Sequence, residues 1–117
     1  MRLGVTMKKP ETQELRTMHA MLCQAIADPT RIALLYELND GPKNVTQLVN
    51  ALSLPQGTVS RHLKTLRERY LVHTRRDGSY IHYELADSRV IDALDLMRAI
   101  KSDILARQRN LAEAVMK

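Results

Sequence analysis

Three residues, Ser53-Leu54-Pro55, separate two short amphipathic segments, and this break narrows the possible folds more than any other feature of the chain. Upstream, Asn44-Val-Thr-Gln47 has the form of a capping box and opens a segment with Leu48, Val49 and Leu52 on one helical face. Downstream, Pro55 is placed to begin a helix reaching about Arg69, with Val59, Leu63 and Leu66 turned inward. A β-hairpin pattern follows at once: strands over 71–75 and 80–85, with Asp77-Gly78 at the join. In the second strand Ile81, Tyr83 and Leu85 are expected inward, His82 and Glu84 outward. Two helices joined by a tight turn and followed by a hairpin give the order of a winged helix-turn-helix.

The flanks complete the architecture. Residues 1–10 read as a flexible N-terminal tail and 11–117 as one winged helix-turn-helix domain with dimerisation helices at its ends. A first helix is expected over 11–27, on the spacing of Leu15, Met18, Leu22 and Ile26. Asp28-Pro29 restarts the chain, since Asp caps a helix and Pro is tolerated in its first turn. The helix from Thr30 to Leu38 should bury Ile32, Leu35 and Leu38 before Asn39-Asp-Gly-Pro42 ends it. Asp87-Ser88 caps a last helix whose stripe, Ala93, Met97, Ile100, Ile104, Leu111 and Val115, is interrupted at Arg107. That stripe is too long for so small a core to cover, so a partner helix is expected over it. The predicted class is mainly α with a small β-hairpin (α+β), in the order α-α-α-α-β-β-α. The predicted assembly is a homodimer through the first and last helices, with Leu15, Met18, Leu22, Met97, Ile100 and Ile104 in the seam.

With 117 residues the chain has room for one domain, and no Phe or Trp to fill it. Leu, Ile, Val, Met and Ala must therefore do the packing, which suits interlocked helices. The net charge is +5. Between Lys43 and His82 seven Lys or Arg face two acids, and the remainder of the chain balances to zero. A basic excess confined to one segment is the footprint of a polyanion binder, although a merely solvated basic face would look the same. The single cysteine excludes an intrachain disulfide and fits a reducing compartment. No apolar run reaches membrane-spanning length and the start lacks a signal-peptide core, so a cytoplasmic protein with no membrane partner is expected. There is no Gly-rich phosphate loop, no GxSxG elbow and no nucleophile-base pair, which argues against an enzyme.

A recognition helix lays its N-terminal residues against base edges in the major groove of double-stranded DNA. Gln56, Thr58, Ser60, Arg61, Lys64 and Thr65 lie off the Val59-Leu63-Leu66 face. Gln pairs with adenine and Arg with guanine, while Ser and Thr reach bases or phosphates. His62 is expected to touch phosphate or to pack locally. Asn44, Thr46 and Gln47, at the preceding helix start, are further candidate DNA contacts. Arg75, Arg76 and Tyr80 at the hairpin tip are placed for a minor groove or its phosphates.

Three segments also resemble a known family. Ala27-Asp-Pro-Thr-Arg-Ile-Ala-Leu-Leu-Tyr-Glu-Leu38 resembles the opening helix of the ArsR/SmtB bacterial repressors. Leu54-Pro-Gln-Gly-Thr-Val-Ser-Arg-His-Leu-Lys-Thr-Leu-Arg67 is similar to their recognition helix, and Arg75-Arg-Asp-Gly-Ser-Tyr-Ile-His-Tyr-Glu-Leu85 to their wing. The likeness covers about residues 20–100. Pro55 stands where a Ser cap is common, and Gly57 is a poor helix former. The resemblance implies a dimeric repressor that leaves operator DNA when a metal, metalloid or thiol-reactive signal arrives. The thiol pair of the arsenic-sensing branch is absent, since the corresponding helix start reads Asn44-Val-Thr46. The zinc-type branch uses His and Asp on the last helix, which here offers Asp87, Asp92, Asp95, Asp103 and Glu113 but no His. Redox sensors of the family use two cysteines where this chain has one.

One local pair remains: His19 and Cys23, four apart and so on one helical face, an N/S set that suits zinc or copper. Two further ligands would be needed, and burial of Cys23 beside an interface is the simpler account of it. His73 and His82, with Glu84 near, read as ordinary strand positions. The leading expectation is a sequence-specific operator-binding repressor with no assigned cofactor. One alternative is a metal- or thiol-sensing repressor using a metal ion at His19 and Cys23. Another is a helical dimerisation module with a protein or non-specific nucleic-acid partner.

Overall fold

A computed structural model describes residues 8–116, so most of the expected tail lies outside the described residues. The elements run α1 (Thr12–Met18), α2 (Pro29–Asn39), α3 (Val45–Leu52), α4 (Gln56–Glu68), β1 (Val72–Asp77), β2 (Tyr80–Leu85) and α5 (Arg89–Met116). The chain divides into two compact units, one up to Ala86 and one from Asp87.

The first helix differs from expectation. Regular α-helix stops at Met18, and His19–Cys23 form a π-helical turn in which the Gln24 N–H donates to the His19 carbonyl, 2.9 Å away and five residues back. The expected 11–27 helix is thus a short α-helix, a π turn and a turn, because the hydrogen-bond ladder slips by one residue. None of the described residues of α1 is buried.

Asp28 caps α2 as predicted, accepting from Thr30 N–H at 2.8 Å and Arg31 N–H at 3.2 Å. Desolvation raises the Asp28 carboxyl, but the hydrogen bonds from Arg31 and Thr30 outweigh it and hold the group below its ordinary 3.8. In α2 the buried residues are Leu34, Leu35 and Leu38. Leu35 and Leu38 are buried as expected, but Ile32 is only half-buried and Leu34 takes the inward place, since the core-facing arc is turned toward the Leu34 side of the helix.

The capping box forms in full: Asn44 Oδ1 accepts from Gln47 N–H at 2.8 Å, and Gln47 Oε1 from Asn44 N–H at 2.9 Å. α3 contributes Leu48 to the core and ends at Ser53, whose φ of 53° turns the chain left-handed. Three residues later α4 starts, with Pro55 as its N-cap. All three predicted α4 core residues, Val59, Leu63 and Leu66, are fully buried. α4 closes on Tyr70, also left-handed at φ 61°, with Tyr70 N–H donating to the Arg67 carbonyl and Leu71 N–H to that of Leu66. Leu71 and Val72 then carry the core into the sheet.

The hairpin pairs Val72 with Leu85 at its root and Asp77 with Tyr80 at its tip. Its first strand starts one residue later and runs two further than expected. Lys43 adds a bridge that sequence reading missed: its N–H donates to the Tyr83 carbonyl at 3.0 Å and its carbonyl accepts from Tyr83 N–H at 2.8 Å. Its ammonium holds Glu37 at 2.7 Å.

In the second unit, Asp87 caps α5 by accepting from Arg89 N–H at 2.9 Å. Side-chain hydrogen bonds from Arg89, at 2.7 Å for the shortest, lower the Asp87 carboxyl to about 2. Along α5 only Ile91 and Leu94 are buried, while Met97, Ile100, Ile104, Leu111 and Val115 are exposed. No helix of the described residues is long and apolar enough to cross a membrane.

Candidate nucleic-acid interface

The face of α4 opposite its core presents exposed Gln56, Ser60, Arg61 and Lys64, with half-buried Thr58, His62 and Thr65 at its margin. Arg61 and Lys64 form no ion pair among the described residues, so their charge is available to a ligand. No side chain caps the first turn of α4, because Pro55 has no acceptor to offer. The N–H groups there therefore point outward unpaired, and helix N-termini of this kind favour anions. At Gly57 an added Cβ would meet nothing within 4 Å, so that turn is open to close approach.

The helix-start candidates divide. Thr46 is exposed, whereas Asn44 and Gln47 spend their side-chain oxygens on the capping box, leaving amide N–H groups as their free donors.

The wing divides too. Cross-strand register sets His73, Arg75, His82, Glu84 and Tyr80 on one face, and Val72, Thr74, Arg76, Ile81 and Tyr83 on the other. Arg75 and Arg76 therefore point to opposite sides. Arg75 lies 3.7 Å from Glu84, which also holds His73 at 3.6 Å, while Arg76 forms no ion pair among the described residues. Tyr80 is 60% exposed at the tip. Three expectations for β2 are corrected, the first being Glu84, which was expected outward and is half-buried. Ile81 is 45% exposed, because its place opposite Arg76 lies where the hairpin projects beyond the core. His82 is half-buried instead of outward: Arg75 across the ribbon and Glu84 beside it crowd its face, and its Nδ1 is buried without a partner.

His62 is tied down by a residue that the sequence reading passed over. Arg31 Nη1 donates to His62 Nδ1 at 3.3 Å, Nε to the Ala25 carbonyl at 2.6 Å, and Nη2 to the Gln24 carbonyl at 3.0 Å. Only the Asp-Pro-Thr-Arg order in the sequence could have pointed to it.

His19 and Cys23 lie at the two ends of the π-helical turn, and Cys23 is half-buried. Among the described residues no three His, Cys, Asp or Glu are placed to hold a metal ion together. Among the described residues of one chain, His19 and Cys23 are thus not joined by a third ligand.

The family model described as "Bacterial regulatory protein, arsR family" matches residues 28–74. The HTH-type transcriptional repressor SmtB of Mycobacterium tuberculosis is 38% identical over 82 residues, 70% of this chain and 61% of its own length. The chain thus spans about three fifths of that relative. The biofilm growth-associated repressor of Agrobacterium fabrum is 33% identical over 91 residues, 78% of either chain. The crystal structure of NolR from Sinorhizobium fredii superposes with a TM-score of 0.69 at 32% identity, covering 82% of this chain and 96% of that one. Helix-turn-helix, wing and these likenesses agree, and the chain belongs to the ArsR/SmtB family of winged helix-turn-helix regulators.

Proposed function

We propose that this protein is a transcriptional repressor that binds a double-stranded operator as a homodimer. The observation that carries this is the outer face of α4, where Arg61 and Lys64 are unpaired beside an uncapped helix start open at Gly57. Gln56, Thr58, Ser60 and Arg61 read base edges, and Lys64, His62 and Thr46 meet phosphates together with the amides of Asn44 and Gln47. Arg76 and Tyr80 extend the contact from the wing, with Arg75 contributing after sharing its charge with Glu84. Leu15 and Met18 on α1, Leu22 in the π-helical turn, and Met97, Ile100 and Ile104 on α5 are exposed and apolar, and a second copy covers them. The site works in the cytoplasm, and a signal that weakens DNA binding lifts repression.

A gel-shift of the purified chain on the DNA upstream of its own gene, with random duplex as competitor, tests the reading. Operator should outcompete random duplex. With about eight phosphates neutralised per dimer, log K should fall with log[salt] at a slope of roughly −7. Equal competition by random DNA would favour a non-specific binding module instead.

A further inference from the structure

Arg31 sits between three parts of the first unit: the turn that ends the π-helical segment, the start of α2, and α4. Two carbonyls of that turn accept from its Nη2 and Nε: that of Gln24, which also takes Ala27 N–H at 3.3 Å, and that of Ala25. The Ala25 carbonyl follows a helical end, where acceptors otherwise lack partners. Held there first, the planar guanidinium has one remaining edge to offer, and that edge meets His62 Nδ1. Lysine cannot reproduce this fork, since its donors diverge from a single nitrogen.

The chemistry of the contact is one-sided. An arginine only donates, so His62 Nδ1 must accept, and the ring proton sits on Nε2. His82 Nδ1 is the single buried side-chain nitrogen or oxygen without a partner among the described residues. His62 Nε2 is not among such buried atoms, and the residue is half-buried. His62 lies on the flank of α4 that also carries Thr58 and Thr65, next in sequence to Arg61. The charged groups facing it from the start of α2 are Arg31 itself and the Asp28 carboxylate.

We infer that Arg31 is the positioning residue of the recognition helix, holding His62 in the Nε2–H tautomer as a neutral donor to a phosphate oxygen of the bound DNA. The tie also fixes the rotation of α4 about its own axis, and with it the direction of Arg61. This inference rests on the DNA-binding reading above, but its first test does not need DNA.

At pH 8, long-range ¹H–¹⁵N spectra of the full-length wild type should show His62 as one tautomer, protonated on Nε2. Arg31→Met, which keeps the stem and removes every donor, should give the mixed-tautomer pattern of a free imidazole. If that variant fails to fold, Arg31→Lys serves instead and should show the same mixing. Operator affinity should fall about tenfold in Arg31→Met, as for loss of a hydrogen bond to a charged group. The double variant Arg31→Met/His62→Leu should bind no more weakly than His62→Leu alone, since one residue acts through the other. His62→Gln, whose amide N–H approximates Nε2–H, should retain more affinity than His62→Asn, which preserves only the Nδ1 acceptor. An unchanged His62 spectrum in the Arg31 variants, or losses that add in the double variant, would overturn the inference. Should the wild type bind operator and random duplex alike, the proposed function fails, while the tautomer spectra still decide whether Arg31 sets the ring.

Discussion

α4 and α5 are both amphipathic helices, and they differ in how much of their apolar surface the single chain covers. In α4 every large apolar side chain is fully buried, and what faces outward is polar or charged, cationic except for Glu68 at the end. In α5 burial stops at Leu94, while an apolar stripe continues through Met97, Ile100 and Ile104 to Val115. The first helix is complete within one chain and free to meet a charged ligand. The second carries a face that water should not be left to cover, and so it asks for another helix. Amphipathicity alone does not separate a core helix from an interface helix; the length of the stripe relative to the available core does.

The largest expected effect tests the completeness of α4. Leu63→Ala should destabilise the chain by about 2–5 kcal/mol in denaturant unfolding, because a fully buried Leu leaves a cavity. Leu111→Ala, on the exposed part of α5, should change the unfolding of dilute, monomeric chain by under about 0.5 kcal/mol. Equal costs would erase the distinction.

Next in size is the seam. Met97→Glu combined with Ile104→Glu puts carboxylates where a dry contact is expected, and dimer affinity should weaken by about a hundredfold or more. Sedimentation should then show monomer where the wild type is dimeric; a dimeric double variant would remove α5 from the interface.

The outward face of α4 is sharpened by separating readout from attraction. Arg61→Ala should lower operator affinity by about 1–3 kcal/mol and relax preference at one or two base pairs. Arg76→Ala should weaken operator and random DNA alike, and Arg75→Ala by less than Arg76→Ala, since Glu84 already holds Arg75. Equal losses on both DNAs for Arg61→Ala would end its base-reading role.

The smallest effect concerns the Asp28 cap of α2. Asp28→Ala should cost about 1 kcal/mol at neutral pH. Because the folded carboxyl titrates below its ordinary value, its contribution is complete above about pH 4 and fades as pH falls through the lowered value. Urea midpoints of wild type and Asp28→Ala should therefore converge in acid; a constant gap would assign the cost to something other than the charge.

The recognition unit was legible in the sequence for a physical reason: its signals are local. The Asn44–Gln47 box, the three-residue turn, the Val59-Leu63-Leu66 arc and Asp77-Gly78 each act within a few residues, and each appears as read. The misses are of another kind. A π turn at His19–Cys23 shifts a ladder by one residue without needing any particular side chain. The Lys43–Tyr83 bridge joins residues forty apart, and the Arg31–His62 contact joins residues thirty-one apart. Period-two alternation failed along β2, where Ile81 is exposed and His82, Tyr83, Glu84 and Leu85 are all half-buried, because alternation names a face and not how far the core extends beneath it.

The Lys43–Tyr83 bridge gives the wing the mechanics of a cantilever. Two backbone hydrogen bonds and the Lys43–Glu37 ion pair clamp it near its root. From Tyr83 to Tyr80 the ribbon extends about 10 Å further, at the usual rise of roughly 3.3 Å per residue, with exposed side chains at its end. A beam fixed in this way concentrates its compliance at the free end. In the proposed DNA complex such a mounting would let Arg76 and Tyr80 follow grooves of different width with small elastic bends, while the root, and the helices braced against it, hold their alignment.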